Sequence, residues 1–289
     1  MNEMKKVTLG LLTCGLVLTT GIVAHAEGSA TTKADIKFTQ GGTEEVEIPT
    51  PTPNPDPSTK RNPDPDPMPG DLTEPGNKGP LKFVDLPKIN FGEVELAPFT
   101  QNYFAQFQTR KYTKEDKTKA DGVYPTLVAV QDLRGGAKGW SVSVSHNGRF
   151  TKTGVNGGGT IKAGLSLKGG NVRTNTFNEP EATTFKPESA IKTDEYTNIS
   201  YADTTTEVAI FKADPAKKQG YGKWSIGFGG IDEKTSGQGL DGNGTTGEVN
   251  NKKKGLNPGV RLTVPTQIID TDNGGAYETT LVWTLSQVK

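Results

Sequence analysis

Two stretches, Trp140-Ser-Val-Ser-Val-Ser145 and Tyr277-Glu-Thr-Thr-Leu-Val-Trp-Thr-Leu-Ser286, decide the fold. Both alternate with a period of two. Trp140, Val142 and Val144 fall on one face, and Ser141, Ser143 and Ser145 on the other. Tyr277, Thr279, Leu281, Trp283 and Leu285 repeat the pattern, with Val282 the exception on the outer face. Trp224, Ile226 and Phe228 form a third, shorter copy. Successive side chains of a strand point to opposite sides of a sheet, and a half-solvated sheet buries its apolar face. The alternation therefore favours Trp140 and Trp283 as core residues over a sugar-stacking platform, since burying an indole stabilises by several kcal/mol, order of magnitude. Glycines 227, 229 and 230 leave Trp224 open to either role.

Outward from these stretches, strand-like runs recur at residues 122–130, 160–167, 207–213, 223–228 and 260–264. Weaker ones lie at 82–85, 89–94 and 103–109. Gly, Asn, Asp and Pro bound them, and no amphipathic helix interrupts. Some ten strands in residues 81–289 predict an all-β fold, a single Greek-key-like β-sandwich. Residues 229–259 form a long Gly-rich connection with the trio Lys252-Lys253-Lys254. A loop of that length is usually functional or mobile.

The N-terminal third has a different organisation. Lys5 and Lys6, the apolar run 7–23 and Ala24-His25-Ala26 read as a signal peptide over residues 1–26. Thr and Gly break the run too often for a permanent span, so the mature form is expected to have none. Residues 27–48 form a short head, read equally as a disordered N-terminus or as carrying one candidate strand at 33–39 that would add to a sheet edge, its own or a partner's. Residues 49–80 hold eleven of the 19 prolines and read as an extended polyproline II stalk.

Composition excludes several functions. The 33 basic and 33 acidic residues balance, which argues against nucleic-acid binding. Cys14 and His25 leave with the signal, so a disulfide, a Cys-ligated metal or a cysteine nucleophile is not expected. The remaining His146, next to the hairpin signal Asn147-Gly148, reads as a turn-flanking surface residue. Gly157-Gly158-Gly159-Thr160 lacks the Gly-Lys-Ser/Thr of a phosphate loop, and Asp241-Gly-Asn243-Gly-Thr245 lacks the closing glutamate of a calcium loop. No carboxylate pair stands out. The expectation is a non-enzyme without cofactor or metal.

The motifs also carry a resemblance. Val130-Gln-Asp132-Leu-Arg134-Gly135-Gly-Ala-Lys-Gly139-Trp140-Ser-Val142 resembles the V-x-D-x-R-G-x-x-x-G-W-x-[VL] segment of the WxL cell-surface family of low-GC Gram-positive bacteria. Tyr277-Glu-Thr-Thr-Leu281-Val-Trp283-Thr284-Leu285-Ser286 is similar to that family's Y-x-x-x-L-x-W-T-L-S ending. Gly79-Pro80-Leu81, Phe91-Gly92 and Val264-Pro265 match as well, and the resemblance covers residues 81–289. The ending Gln287-Val288-Lys289 departs from the family's usual acidic-Ala-Pro tail.

The resemblance implies non-covalent attachment to peptidoglycan at the cell surface. It implies companion proteins too, carrying a WxL-interacting region or anchored by sortase. A structural or adhesive role, docking on such partners or on host matrix, is the alternative. The chain stops at Lys289 without a Leu-Pro-x-Thr-Gly signal, which is the expectation for a protein secreted and held without a covalent link. The resemblance implies that both motifs are needed for wall binding, and the expectation is that Trp140, Val142, Trp283 and Leu285 scaffold the binding face. Asp132, Arg134, Gly139, Tyr277, Leu281 and Thr284 support it. The expectation is that the two Trp-x-aliphatic units lie on neighbouring strands and brace one face, while exposed residues and loops nearby meet the ligand.

Overall fold

The computed structural model describes residues 26–39, 79–113, 119–146, 148–154, 158–174, 176–178, 180–200, 206–229, 256–272 and 275–288. Residues 1–25 of the expected signal, the stalk up to residue 78 and residues 230–255 of the long connection lie outside these. So do Asp241, the Lys252–Lys254 trio and Gly157.

The described chain is mostly strand, as the alternation predicts. In order the strands are β1 (Ala26–Thr39), β2 (Leu81–Asp85), β3 (Ile89–Glu95), β4 (Gln101–Gln106), β5 (Gln108–Thr113) and β6 (Lys119–Tyr124). Next come β7 (Thr126–Asp132), β8 (Trp140–His146), β9 (Arg149–Lys152), β10 (Thr160–Lys162), β11 (Gly164–Leu167) and β12 (Asn171–Thr174). The last six are β13 (Glu188–Ser189), β14 (Thr197–Asn198), β15 (Thr206–Ala213), β16 (Gly222–Phe228), β17 (Leu256–Val264) and β18 (Ala276–Gln287). One four-residue helix, α1 (Glu181–Thr184), interrupts them. No described helix is long and apolar enough to cross a membrane.

There are more strands than the expected ten, because several single runs are two strands. Pro125 offers no N–H and separates β6 from β7. Ala163 separates β10 from β11; its N–H is taken by the Gly148 carbonyl instead. Short β9, β12, β13 and β14 carried too few residues to show a period.

The strands form three larger sheets and one two-stranded ribbon, β5-β6. The largest runs β10-β9-β18-β8-β15-β13, with β1 on the other side of β18 and β3 beyond β1. The second is β14-β11-β17-β4, the third β12-β16-β7-β2. Side chains from all three enclose one core, which holds Trp140 and Trp283 from the first, Leu262 from the second and Trp224 from the third. All three indoles are fully buried.

The expected strand at 33–39 forms, but it is longer. β1 spans fourteen residues and is inserted between β18, antiparallel, and β3, parallel. Its inward face reads Gly28, Ala30, Thr32, Ala34, Ile36, Phe38. Small residues oppose large ones: Gly28 faces Leu285 and Ala30 faces Trp283. The head is therefore part of the principal sheet.

The expected hairpin at Asn147-Gly148 is not formed. β8 and β9 do not pair with each other. Both run antiparallel along β18, with the register displaced by two residues between them. Gly148, at φ +71°, lies between the two strands, and Asn147 lies outside the described residues.

Candidate functional site

The two motifs meet. β8 and β18 are antiparallel neighbours, with Val142 opposite Leu285, Val144 opposite Trp283 and Trp140 opposite Gln287. Directly opposed residues share a face, so both Trp-x-aliphatic units contribute to one buried layer. Trp140, Val142, Trp283 and Leu285 are all 0% exposed. Beside them, Leu281 is buried, and Thr284 is only partly buried on the outer face. None of the four presents a surface to a ligand.

Each indole N–H has a partner, as burial requires. Trp140 Nε1 donates to the Gly220 carbonyl at 3.0 Å, and its ring meets Phe211 edge-on at 4.7 Å. Trp283 Nε1 donates to Thr32 Oγ1 on β1 at 2.9 Å. Trp224 Nε1 donates to the Tyr221 carbonyl at 2.8 Å. Gly220 has φ +84°, and a Cβ there would lie 2.6 Å from Trp140 Nε1, so the indole's seat needs glycine.

The distal motif is a folded loop clamp. Asp132 ends β7 and is fully buried. Arg134 turns back onto it, with Nε 2.8 Å from Oδ1 and Nη2 2.8 Å from Oδ2. The same Nη2 donates to the Gly139 carbonyl at 2.8 Å. This bidentate fork ties both ends of residues 132–139 together. Gly139 has φ +72°, and a Cβ there would meet Pro215 Cδ at 2.5 Å. Just past the other motif and the end of β18, the Val288 N–H reaches the Gly139 carbonyl at 3.4 Å. The spacing D-x-R-x4-G-W is thus a loop closure, and the end of β18 completes it.

What the clamp displays is exposed. Leu133 is 52% exposed, and Gly135, Gly136 and Lys138 face solvent. Gly222 pairs with Asp132, which sets Tyr221, 38% exposed, at the same end. Behind Tyr221 lie Phe177 at 6.3 Å and, beyond it, Phe185 at 5.2 Å from Phe177. An aromatic ledge thus lies at the strand end from which the glycine-rich loop leaves. The sequence reading did not single out Leu133, Phe177 or Tyr221, because none lies in an alternating run.

Tyr277 lies at the opposite end of β18. Its hydroxyl donates to the Asp270 carbonyl at 2.9 Å, and its ring meets Phe38 edge-on at 5.9 Å. Asp270 holds the buried ammonium of Lys152 at 2.6 Å. That lysine, with the Asp272 N–H, keeps the Asp270 carboxyl below its usual range. His146 is corrected by the structure: it is buried, not a surface residue. Its Nε2 lies 2.8 Å from Thr279 Oγ1 and its Nδ1 accepts from the Gly148 N–H. Burial lowers its pKa to about 4, so it is neutral at ordinary pH. In sequence it is in phase with Trp140, Val142 and Val144, which was the signal for an inward position.

A second polar face, also missed, lies on the β14-β11-β17-β4 sheet. Arg261 stacks on Tyr196 at 3.8 Å, with Lys168 4.7 Å from the same ring. Tyr196 donates to the Pro258 carbonyl at 2.7 Å.

The two motifs thus form a buried scaffold that closes a surface loop on an all-β domain. The family model described as WxL domain, surface cell wall-binding, matches residues 25–288. The chain belongs to that family and is a cell-wall-binding surface protein. The match takes in β1, consistent with its place in the principal sheet. No curated protein and no solved structure matches the chain.

Proposed function

We propose that the domain holds the protein non-covalently on peptidoglycan, and that the clamped loop with its aromatic ledge is the contact surface. One observation carries this reading: the two motifs join on adjacent strands to fix residues 132–139, while their own tryptophans are sealed in the core. The rings of Tyr221 and Phe177 offer apolar faces to sugar C–H groups. Gly135 and Gly136 allow a chain to approach the backbone closely. Lys138 supplies a cation for the carboxylates of peptide stems. The reading assigns no catalytic step.

The test is release. Cells or walls loaded with the mature protein are washed with concentrated chaotropic salt, and wall turbidity is followed alongside. The expected result is recovery of intact protein with unchanged turbidity. Protein that resists denaturant would indicate a covalent link, and falling turbidity would indicate a wall hydrolase. In the alternative reading, where companion surface proteins or host matrix hold the chain, walls stripped of protein would take up none.

A further inference from the structure

We propose that the outer face of the β14-β11-β17-β4 sheet is a second binding site, which takes a phosphodiester group of an anionic polyol-phosphate polymer in the wall. The register of the sheet assembles it. Ser166 is opposite both Arg261 and Asn198, and Thr263 is opposite Asn102. Opposed residues share a face. Leu165, Leu262 and Tyr103 point the other way, into the core. Arg261, Ser166, Asn198, Thr263 and Asn102 therefore line one outward surface. Lys168, two residues past Ser166, joins them, and its N–H continues the ladder to the Gly259 carbonyl.

That surface is built of cations and donors. The Arg261 guanidinium and the Lys168 ammonium lie 3.8 Å and 4.7 Å from the centre of one ring, that of Tyr196. Burial pushes the Tyr196 phenol above its usual value, so the ring brings no negative charge. The Ser166 and Thr263 hydroxyls donate to Oδ1 of Asn198 and Asn102, each at 2.6 Å, which leaves both amide nitrogens without a partner among the described residues. None of the four strands contains an Asp or Glu. Glu195, beside Tyr196 in the chain, is engaged by Lys192. Arg261 Nε is buried without a hydrogen-bond partner, and among the described residues no carboxylate pairs with Arg261 or Lys168. Two like charges at one ring repel, and an anion shared by both offsets that repulsion. Stacking fixes the plane of the guanidinium, whose fork suits two oxygens of one group, while lysine adds a point charge. Phosphate oxygens diverge tetrahedrally, which suits two cations from different strands; a planar carboxylate is matched by one fork alone. Two cations on a chain of balanced charge are too few for a nucleic acid. The large exposed apolar side chains, Phe99, Leu133, Tyr221 and Ile268, lie outside these strands, so this face offers no wedge for a lipid layer. The inference draws on the family's wall location and is independent of the contact proposed at Tyr221.

Titration with a synthetic glycerol phosphate oligomer tests it. Calorimetry is run on the mature chain at two salt concentrations, and the thermal transition of each variant is recorded. Saturable binding is expected, about sevenfold weaker at 200 mM than at 50 mM salt for two charge contacts on a flexible polyanion. Arg261→Gln weakens binding about tenfold or more, and Lys168→Gln weakens it less. Arg261→Lys, which keeps the charge and loses the fork, falls between Arg261→Gln and wild type. Pelleting with peptidoglycan stripped of polymers is unchanged in all three. Should Arg261→Gln fail to fold, the salt dependence and Lys168→Gln, whose side chain is partly exposed, decide the question. No oligomer binding, or equal binding by wild type and the Gln variants, would overturn the proposal. So would equal affinity for poly-glutamate, which would mean attraction by charge alone, or for inorganic phosphate, which would mean a site for a free ion. Tighter binding of oligothymidylate or of phosphatidylglycerol vesicles would overturn the polymer assignment. Loss of peptidoglycan pelleting together with oligomer binding would merge this face with the first contact and overturn a second site.

Discussion

Trp283→Ala is the perturbation that separates scaffold from contact. The indole is fully buried between Val144 on β8 and Ala30 on β1, and its N–H is bonded to Thr32. Truncating such a side chain costs about 3–5 kcal/mol through lost transfer energy and the cavity left behind. Domains of this kind have a stability of about 5–15 kcal/mol, so the variant still folds at low temperature. At ~2–4 °C per kcal/mol for a chain of this length, the thermal transition falls by about 6–20 °C. Trp283→Phe keeps most of the volume and loses the indole hydrogen bond. Its expected cost is about 1–2 kcal/mol, with wall binding intact below its transition. Calorimetry and wall pelleting are run on the same samples. If Trp283→Ala abolishes pelleting while its transition stays at the wild-type temperature, the tryptophan touches the ligand and the scaffold reasoning is wrong.

Three further outcomes are expected. Asp132→Ala leaves the buried Arg134 guanidinium without its carboxylate and costs about 3–5 kcal/mol by denaturant titration, whereas replacing both partners with apolar residues costs less. His146 has its pKa lowered from 6.5 in the unfolded chain to about 4 in the fold. The unfolded state therefore binds the extra proton first, so stability is complete above pH 6.5 and falls by about 3 kcal/mol as pH drops toward 4. His146→Gln flattens that slope when transitions are measured across the range. Tyr221→Ala alters stability by less than about 1 kcal/mol and strongly weakens pelleting, while Arg261→Ala on the far sheet leaves pelleting unchanged. The reverse ranking would move the contact surface to the Arg261–Tyr196 face.

The principal strands were legible because Trp140, Trp224 and Trp283 each sit in runs whose parity is unbroken. Parity also marks the buried face of β8 and β18, whereas the glycines around Trp224 leave the role of its face on β16 open. The length of β1 was not legible. Gly28, Ala30 and Thr32 are small because Leu285 and Trp283 fill the space opposite, so the segment lacks the bulky side chains that mark a strand locally. His146 was misplaced because the Asn147-Gly148 signal outweighed its phase with Trp140. The site was half legible. The D-x-R-x4-G-W motif marks the loop that the proposal uses, but Tyr221 is brought to that end of the sheet only through the pairing of β16 with β7. No local pattern reveals a contact between residues so far apart in the chain.

The most direct test of wall recognition is pelleting of the mature chain, β1 included, with peptidoglycan freed of proteins and secondary polymers. The account predicts saturable binding that Tyr221→Ala weakens. Failure to pellet with stripped peptidoglycan, while intact cells still retain the protein, would contradict it and assign the attachment to a companion protein or an accessory polymer.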